Sequence, residues 1–332
     1  MNVSAYILEI YYMNTYNIYD IAKSANVSTA TVSRIINNSG KVSDATKERV
    51  LKVMNELNYH PNAFARGMVT NSMKTIGVLA VDIRDTYYAN VTYTIEQHLR
   101  KNGYNAILCN TGNELKNKKM YIDMLMSKKI DGLILVGSVF KDKKLDNYII
   151  NVSKSIPVTI INGYIKSENI FCVMNDDEQG VRDAVKYLIE KGKKKIVFFK
   201  DADSYSAVKK ARGAKGYPVI LVEKGILGGY NGIKNLMLKN NDINAIICSE
   251  DLTAVGVLKY LTEINNSDFI VIGFNNSIFS ECTTPSLTSV DSNMTTIGKT
   301  AVDIIIKAIS KEQPENKIII NSKLIHKPDE NI

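Results

Sequence analysis

The sequence predicts a small helical domain followed by a larger α/β region that is built on parallel sheets. Two observations support this division. Before residue 72 the apolar residues recur at helical spacing, and no segment has a convincing strand pattern. After residue 74, short runs that are apolar nearly throughout alternate with amphipathic helical segments. Such runs are typical of strands that are buried on both faces of a parallel sheet.

Three short helices are predicted in the first part, within "IYDIAKSA", "TATVSRIINN" and "DATKERVLKVMNELN". Ser28 and Ser43 stand at N-cap positions before the second and third helices. We assign residues 17–60 to this domain (the head), 61–73 to a hinge segment, and 1–16 to an N-terminal extension in which Met13 is an alternative start. The opening segment lacks the features of a signal peptide and is too short for a membrane span, so a cytoplasmic protein is expected.

The α/β region (the core, residues 74–330) contains eight apolar runs, among them "KTIGVLAVDI", "DGLILVG", "NAIICSE" and "FIVIGFNN". Polar residues stand at the ends of several of these runs: Asp82, Asn110, Asp201, Glu250 and Asn275. Ligands of open α/β sheets bind outside the carboxyl ends of the strands. We therefore expect a ligand site near these polar side chains.

Cysteine and histidine usage argues against a metal centre or a disulfide framework. The four cysteines are scattered without a C-x-x-C pair, and the three histidines are isolated from one another. No nucleophile–histidine–acid arrangement and no pair of catalytic carboxylates can be assembled, and "GILGGYNG" lacks the spacing of a phosphate-binding loop. We read this segment as a loop that leads into a helix, and we expect neither an enzyme nor a bound cofactor.

The segment "NVSTATVSRIINNSG", residues 26–40, has the spacing of a helix-turn-helix, whose second helix enters the DNA major groove. On that helix Arg34 can read guanine and Ala30 can contact a thymine methyl, while Ser28, Thr31 and Ser33 can donate to phosphates. Residues 17–74 contain eight basic and four acidic residues. Their net charge of +4 is half of the formal +8 of the whole chain. A basic head of this kind favours binding to a polyanion such as DNA.

The stretch from "NIYDIAKSANVSTATVSRIINNSGKVSD" to "LNYHPNAFARGM" resembles the DNA-binding head and hinge of the LacI family of bacterial transcription regulators. The resemblance implies base contacts from Thr29, Ala30 and Arg34. It implies contacts to phosphates or flanking bases from Tyr19, Ser28, Thr31, Asn37 and Lys41. In the hinge, Asn62 and Ala65 match family positions, and Met68 replaces the leucine that wedges into the minor groove. Because that wedge needs two hinges side by side, a homodimer is implied.

The core is similar to the family's effector-binding region, which has two Rossmann-like lobes like those of periplasmic sugar-binding proteins. The resemblance implies a first lobe of about 74–173 plus 291–310 and a second of about 174–290 plus 315–328. It places an effector between the lobes, near Asp82, Tyr87, Tyr88, Lys210, Glu250 and Asn275. Lys210 replaces a common arginine and changes the pocket. The effector is therefore expected to be a sugar or a charged metabolite. The segment after Gly213 is shorter than in the family, so a very short helix is expected there.

Together these features predict a sequence-specific regulator, most simply a repressor, that binds a pseudopalindromic double-stranded DNA operator under the control of a small molecule. One alternative is a regulator that responds to a protein corepressor instead of a small ligand. Less favoured are a sugar-binding protein or an enzyme on the same core, because neither would use the basic head. No membrane partner is expected.

Overall fold

The computed structural model describes residues 16–37, 39–59, 72–239 and 242–327. The chain divides into two compact units, Met1–Met73 and Lys74–Ile332. Asn62, Ala65 and Met68, the predicted hinge contacts, lie outside the described residues. Among the residues with described positions, no helix is both long enough and apolar enough to cross a bilayer.

The described residues of the head form three helices, α1 (Ile18–Ser24), α2 (Thr29–Ile36) and α3 (Asp44–Glu56). Each begins at a side-chain cap. Asn17 and Asp20 form a reciprocal capping box, and Ser28 and Ser43 accept hydrogen bonds from the backbone amides three residues further on, as their predicted N-cap positions require. The three helices bury Ile21, Val32 and Val50 completely, so a small apolar core holds the head together.

The first lobe of the core contains five strands in chain order, β1 (Thr75–Ala80), β2 (Asn105–Asn110), β3 (Gly132–Val136), β4 (Val158–Ile161) and β5 (Ile170–Asn175). Three helices connect them: α4 (Thr86–Lys101), α5 (Leu115–Ser127) and α6 (Lys143–Ser153). A 3-10 turn, Ser138–Phe140, follows β3. Strands β3, β4 and β5 are buried along their whole length, as the continuous apolar runs predict.

The second lobe repeats this architecture. Its strands are β6 (Ile196–Lys200), β7 (Val219–Leu221), β8 (Ala245–Cys248), β9 (Ile270–Phe274) and β10 (Ser289–Asp291). Its helices are α7 (Asp177–Glu190), α8 (Tyr205–Gly213), α9 (Ile226–Lys239), α10 (Asp251–Glu263) and the one-turn α11 (Ile278–Glu281). With nine residues, α8 is as short as the sequence predicts.

The last part of the chain passes between the lobes. Helix α12 (Met294–Ile309) contributes Ile297, Val302 and Ile305 to the apolar core of the first lobe. Strand β11 (Lys317–Ile320) then joins the first sheet beside β5, and β12 (Lys323–Ile325) joins the second sheet beside β10. The strand orders are β11-β5-β4-β3-β1-β2 and β12-β10-β9-β8-β6-β7. Among the strand pairs that the described residues form, only β10–β12 is antiparallel.

The assignment of residues 315–328 to the second lobe is therefore wrong for β11. The two residues Asn321 and Ser322 separate β11 from β12, and the chain crosses between lobes there. It also crosses after β5 and after β10. Three crossovers thus connect the lobes, and short apolar strands on either side of a crossover carry no local mark of the sheet that they join.

The interpretation of "GILGGYNG" as a loop that leads into a helix at Tyr230 is wrong for its first part, because helix α9 already begins at Ile226 and includes the later glycines. A Cβ atom on Gly229 would lie 1.9 Å from the carbonyl oxygen of Thr253 in α10. A Cβ atom on Gly256 in α10 would lie 2.0 Å from the carbonyl oxygen of Ile226. The glycines let two helix backbones touch, and this contact outweighs their low helix propensity.

Replacing Gly229 by alanine is expected to lower the free energy of unfolding by ~2 kcal/mol, because the methyl group forces two helix backbones apart. Chemical denaturation followed by circular dichroism measures this change. Another glycine of the same lobe, Gly192, cannot serve as the control, because its positive φ of 77° would strain any alanine placed there. Asn231→Ala, an exposed position on the same helix, should leave stability nearly unchanged. Equal stability of Gly229→Ala and wild type would contradict the close helix contact.

Candidate DNA-binding head and ligand cleft

The α2 helix presents two unlike faces. Val32 and Ile35 are buried against the other head helices, whereas Ala30, Arg34 and Asn37 are exposed. Because these three residues follow one another at steps of four and three, they lie on one side of the helix. This exposed side carries a methyl group, a guanidinium and an amide, which are the groups that contact base edges in a major groove.

The turn before α2 fixes how this helix begins. Asn26 adopts a left-handed conformation with φ of 50°, which asparagine tolerates better than most residues. Ser28 accepts a hydrogen bond from the Thr31 amide at 3.1 Å, and the two hydroxyl groups lie 2.9 Å apart. The predicted phosphate contact Ser28 therefore also caps the helix, and the predicted contact Thr31 is its hydrogen-bond partner. In the structure, Asn37 donates to the Ser33 hydroxyl at 3.3 Å.

The remaining predicted DNA contacts of the head are accessible. Tyr19 on α1 is 72% exposed, and Lys41, between α2 and α3, is exposed. Thr29 is half-buried at the start of α2. Gly40 approaches the aliphatic part of the Arg34 side chain, since a Cβ atom there would lie 3.4 Å from Arg34 Cδ. The head thus holds its small and basic side chains on a surface that a phosphate backbone can reach.

A cleft of about 740 Å³ lies between the two lobes of the core. All six predicted effector contacts line it: Asp82, Tyr87, Tyr88, Lys210, Glu250 and Asn275. They come from the ends of β1, β8 and β9 and from the helices α4 and α8. The strand-end argument and the resemblance therefore lead to one place in the structure. That these side chains bind a ligand remains a prediction.

Tyr87 and Tyr88 form the wall of the cleft on the side of the first lobe. Their rings meet edge to face with centroids 5.6 Å apart. The Tyr87 hydroxyl accepts a hydrogen bond from Asn162 at 2.8 Å, and burial raises the pKa of both tyrosines, so they are neutral donors. Tyr88 lies against Gly137, where φ is 108° and an added Cβ would be 2.6 Å from the ring.

Lys210 and Asn275 are buried and already bonded on the side of the second lobe. The Lys210 ammonium donates to the Ser249 carbonyl at 2.9 Å and lies 3.7 Å from the centre of the Phe274 ring. Asn275 has φ of 99° and accepts a hydrogen bond from the Ser292 hydroxyl at 2.8 Å. Both residues support the floor of the cleft as well as lining it.

The Asp82 carboxylate is paired with the guanidinium of Arg84. Arg84 donates to the Asp82 carboxylate from Nε at 2.9 Å and from a terminal nitrogen at 2.7 Å. These hydrogen bonds lower the pKa of Asp82 to about 2. The aspartate is therefore ionised at any physiological pH, and its charge is neutralised at the rim of the cleft.

Glu250 belongs to an ion cluster that the sequence does not predict. Lys224, on the second lobe, lies 2.7 Å from Asp85 of the first lobe and 3.2 Å from Glu250 of the second. Asp85 also caps α4 by accepting from the Tyr87 amide at 2.8 Å. The lysine ammonium thus joins the two lobes across the cleft. Asp85 and Lys224 are 139 positions apart, so no sequence spacing links them.

Burial, followed by the negative charge of Asp201, raises the pKa of Glu250 from 4.5 to about 7, against the opposing effect of Lys224. An acid whose pKa rises on folding destabilises the fold once it ionises. Its favourable contribution is complete below about pH 4.5 and is lost as the pH rises through about 7. The stability of the core should therefore fall over this range more steeply in the wild type than in Glu250→Gln. Denaturation at several pH values measures this difference, and parallel profiles would contradict it.

Two comparisons with family models cover nearly the whole chain. The model for bacterial regulatory proteins of the lacI family matches residues 17–62. The model for periplasmic binding proteins and the sugar-binding domain of the LacI family matches residues 73–327. The first match covers the head described above, and the second covers both lobes of the core.

Curated relatives are similar over almost their full length. An HTH-type transcriptional regulator of Lachnoclostridium phytofermentans is 38% identical over 325 residues, which are 93% of this chain and 98% of the relative. Catabolite control protein A of Staphylococcus epidermidis is 32% identical, over 92% of this chain and 96% of the relative. The first relative is named as a transcriptional regulator and the second as a catabolite control protein.

Solved structures share the fold. The lac repressor dimer bound to operator and the anti-inducer ONPF matches with a TM-score of 0.86 at 22% identity, over 95% of this chain and 99% of that one. The CelR–cellobiose complex matches with a TM-score of 0.68 at 22% identity, over 94% and 98%. With a helix-turn-helix head, a two-lobed core and full-length relatives, the chain belongs to the LacI family of DNA-binding bacterial transcription regulators.

Proposed function

We propose that the protein is a repressor that binds a pseudopalindromic operator as a homodimer and that a small molecule in the cleft changes its affinity for that operator. The observation that carries this proposal is the combination of an exposed face on α2, whose side chains are of the types that contact base edges, with a polar cleft between two lobes. Such a protein acts in the bacterial cytoplasm, where its operator is.

In this proposal each head places α2 in the major groove of one half-site. Arg34 donates in bidentate fashion to guanine, Ala30 contacts a thymine methyl and Thr29 contacts a neighbouring base. The polar or basic side chains around them bind phosphates and fix the register: Tyr19, Ser28, Thr31, Ser33, Asn37 and Lys41. The exposure of Arg34, Ala30 and Tyr19 supports this arrangement.

The hinge residues of two protomers act at the centre of the operator. Asn62 and Ala65 contact the DNA there, and Met68 inserts between two base pairs and kinks the duplex. A methionine side chain has three rotatable bonds, so its wedge is more adaptable than that of leucine. A central base step that unstacks easily is therefore expected in the operator.

The ligand acts through the lobes. Because three crossovers and the Lys224–Asp85 ion pair connect the lobes, a molecule that contacts both of them favours one relative position over another. A change of lobe position alters how two hinges can approach each other in the dimer. The expected coupling between ligand and operator is about 1 to 3 kcal/mol, or roughly 5- to 150-fold in affinity.

A ligand screen on the full chain tests this coupling. Sugars, polyols, nucleosides and organic acids are compared by thermal unfolding, since a ligand at 100 times its Kd should stabilise the core by roughly 2.7 kcal/mol. Each ligand that stabilises the protein is then added to a titration of operator DNA. The proposal expects a changed operator affinity. Stabilisation without any change in DNA binding would contradict control by the cleft, and a protein corepressor would then become the better account.

A further inference from the structure

The charge of the cleft restricts the ligands that it can accept. The lining that the structure describes contains six acidic side chains but three basic ones. The acidic ones are Asp82, Asp85, Asp177, Asp201, Glu250 and Asp251, and the basic ones are Arg84, Lys210 and Lys224. An excess of three carboxylates disfavours an anionic ligand such as a sugar phosphate or a carboxylic acid, because desolvated like charges repel one another. The proposed ligand site is the whole cleft, and the carboxylates in its lining determine which ligands it can bind.

Most of these carboxylates are already satisfied. Asp82 is bound by Arg84, and Asp251 accepts from the Ser277 amide and hydroxyl and from the Ser289 hydroxyl. Asp177 accepts from the Ser206 hydroxyl. These acids hold the protein together and need no further partner. The acidic residues of the lining that remain are Asp85, Asp201 and Glu250.

Two of these three carboxylates form ion pairs with the same lysine ammonium. Lys224 lies 2.7 Å from Asp85 and 3.2 Å from Glu250, and its side chain is 51% exposed. Asp201, which is near enough to Glu250 to raise its pKa, receives neutral hydroxyl donors from Ser249 and Thr253. Glu250 therefore shares the Lys224 ammonium with Asp85 and lies near Asp201, a carboxylate for which the described residues provide no ion-pair partner, while Lys210 adds a weaker favourable charge.

The rest of the lining suits hydroxyl groups. Amide and hydroxyl side chains of both lobes face the cleft, including Asn113, Ser138, Asn162 and Ser204. The aromatic wall of Tyr87 and Tyr88, with Phe279 in the same lining, offers apolar surface to the face of a ring. A polyhydroxylated ring fills such a space with few unsatisfied polar groups.

We infer that the effector is a polyhydroxylated molecule carrying an ammonium group, such as an amino sugar, and that Glu250 binds the ammonium at the place where Lys224 now neutralises it. This inference rests on the proposed control by a ligand in the cleft. The ligand ammonium competes with Lys224 for Glu250 and repels the lysine ammonium beside it, which changes the pair between Lys224 and Asp85 and so how the lobes are held together.

Matched pairs of probes test this assignment with the full chain. D-Glucosamine is compared with D-glucose, D-galactosamine with D-galactose, and D-mannosamine with D-mannose, by calorimetry at pH 7.5. In at least one pair the amine is expected to bind tenfold or more tightly than its hydroxyl counterpart, the amount that a charged hydrogen bond contributes. D-Glucosamine 6-phosphate should bind more weakly than D-glucosamine, because its phosphate adds negative charge to an acidic cleft.

Two variants separate ligand recognition from a structural role. Glu250→Gln should abolish the preference for the amine, so that the two members of a pair bind with similar affinity. Lys224→Met, which removes the competing ammonium, should strengthen that preference. Glu223→Gln, an exposed position outside the cleft lining, serves as the control and should behave as wild type.

Equal or tighter binding of the neutral member in every pair would overturn the inference, and so would a failure of all six sugars to bind. Equal losses for amine and neutral sugar in both variants would also overturn it. These results would leave the proposed regulator standing as long as another ligand alters operator affinity. Amine binding that leaves operator affinity unchanged would instead support the ligand class and contradict the proposed control.

Discussion

Replacing Arg34 by alanine is expected to weaken binding to the best operator by about 1 to 3 kcal/mol, or roughly 5- to 150-fold, and to relax the preference at one base position in each half-site. Arg34 lies on the exposed side of α2, and within the described residues no acidic side chain forms an ion pair with it. Its guanidinium is therefore free to donate to the two acceptors of a guanine edge.

Fluorescence anisotropy with the operator and with single-base variants of it measures both effects. Arg49→Ala is the matched control, because Arg49 is also an exposed head arginine but lies on α3 rather than on the reading helix. It should cost less affinity and leave base preference unchanged. If Arg34→Ala instead weakened binding to all sequences equally and lowered the dependence on salt, Arg34 would contact phosphate rather than a base.

Replacing Asp251 by alanine is expected to lower the free energy of unfolding of the core by about 3 to 5 kcal/mol, because buried donors lose their charged acceptor. Asp251 begins helix α10 and is 2% exposed. It accepts hydrogen bonds from the Ser277 amide at 2.6 Å, the Ser277 hydroxyl at 2.7 Å and the Ser289 hydroxyl at 2.6 Å. One carboxylate thus ties α10 to the segment that follows β9 and to the first residue of β10.

Urea denaturation of the full chain measures this loss in the transition of the core. Asp251→Asn should recover part of the stability, since the amide oxygen still accepts one or two of the three hydrogen bonds. Asp203→Ala serves as the control, because Asp203 is an exposed acid of the same lobe. If the core of the Asp251→Ala protein were as stable as that of the wild type, the structural role assigned to this carboxylate would be contradicted.

The head could be predicted closely because its signals are local. Ser28 and Ser43 cap the helices that follow them, and the spacing of Val32 and Ile35 identifies the buried face of α2. The exposed face follows directly from the buried one. No contact between distant parts of the chain had to be known to identify the exposed residues of this helix.

The cleft could be predicted only in part. The rule that ligands bind at strand ends singled out five residues, and four of them line the cleft: Asp82, Asp201, Glu250 and Asn275. The fifth, Asn110, is not in the cleft lining and accepts a hydrogen bond from the Ile83 amide instead. Lys224 and Asp85 were missed because their contact joins two lobes and two distant stretches of chain. Nothing in the local pattern of either stretch marks it.

Two features of the fold were wrongly predicted for the same physical reason. The glycines after Ile226 indicated a loop, but packing against α10 makes small residues favourable inside the helix. The sheet that β11 joins is decided by pairing with β5, not by its own sequence. In both cases tertiary contacts outweighed local propensity.

A selection from random duplex DNA with the full chain, at near-physiological salt, tests the central claim most directly. A dimer of helix-turn-helix heads predicts a pseudopalindromic consensus, with guanine at an Arg34-dependent position of each half-site and an easily unstacked step at its centre. The Arg34→Ala protein should recover the same symmetry with that position relaxed. Recovery of no consensus, with weak binding that depends steeply on salt, would contradict a sequence-specific regulator.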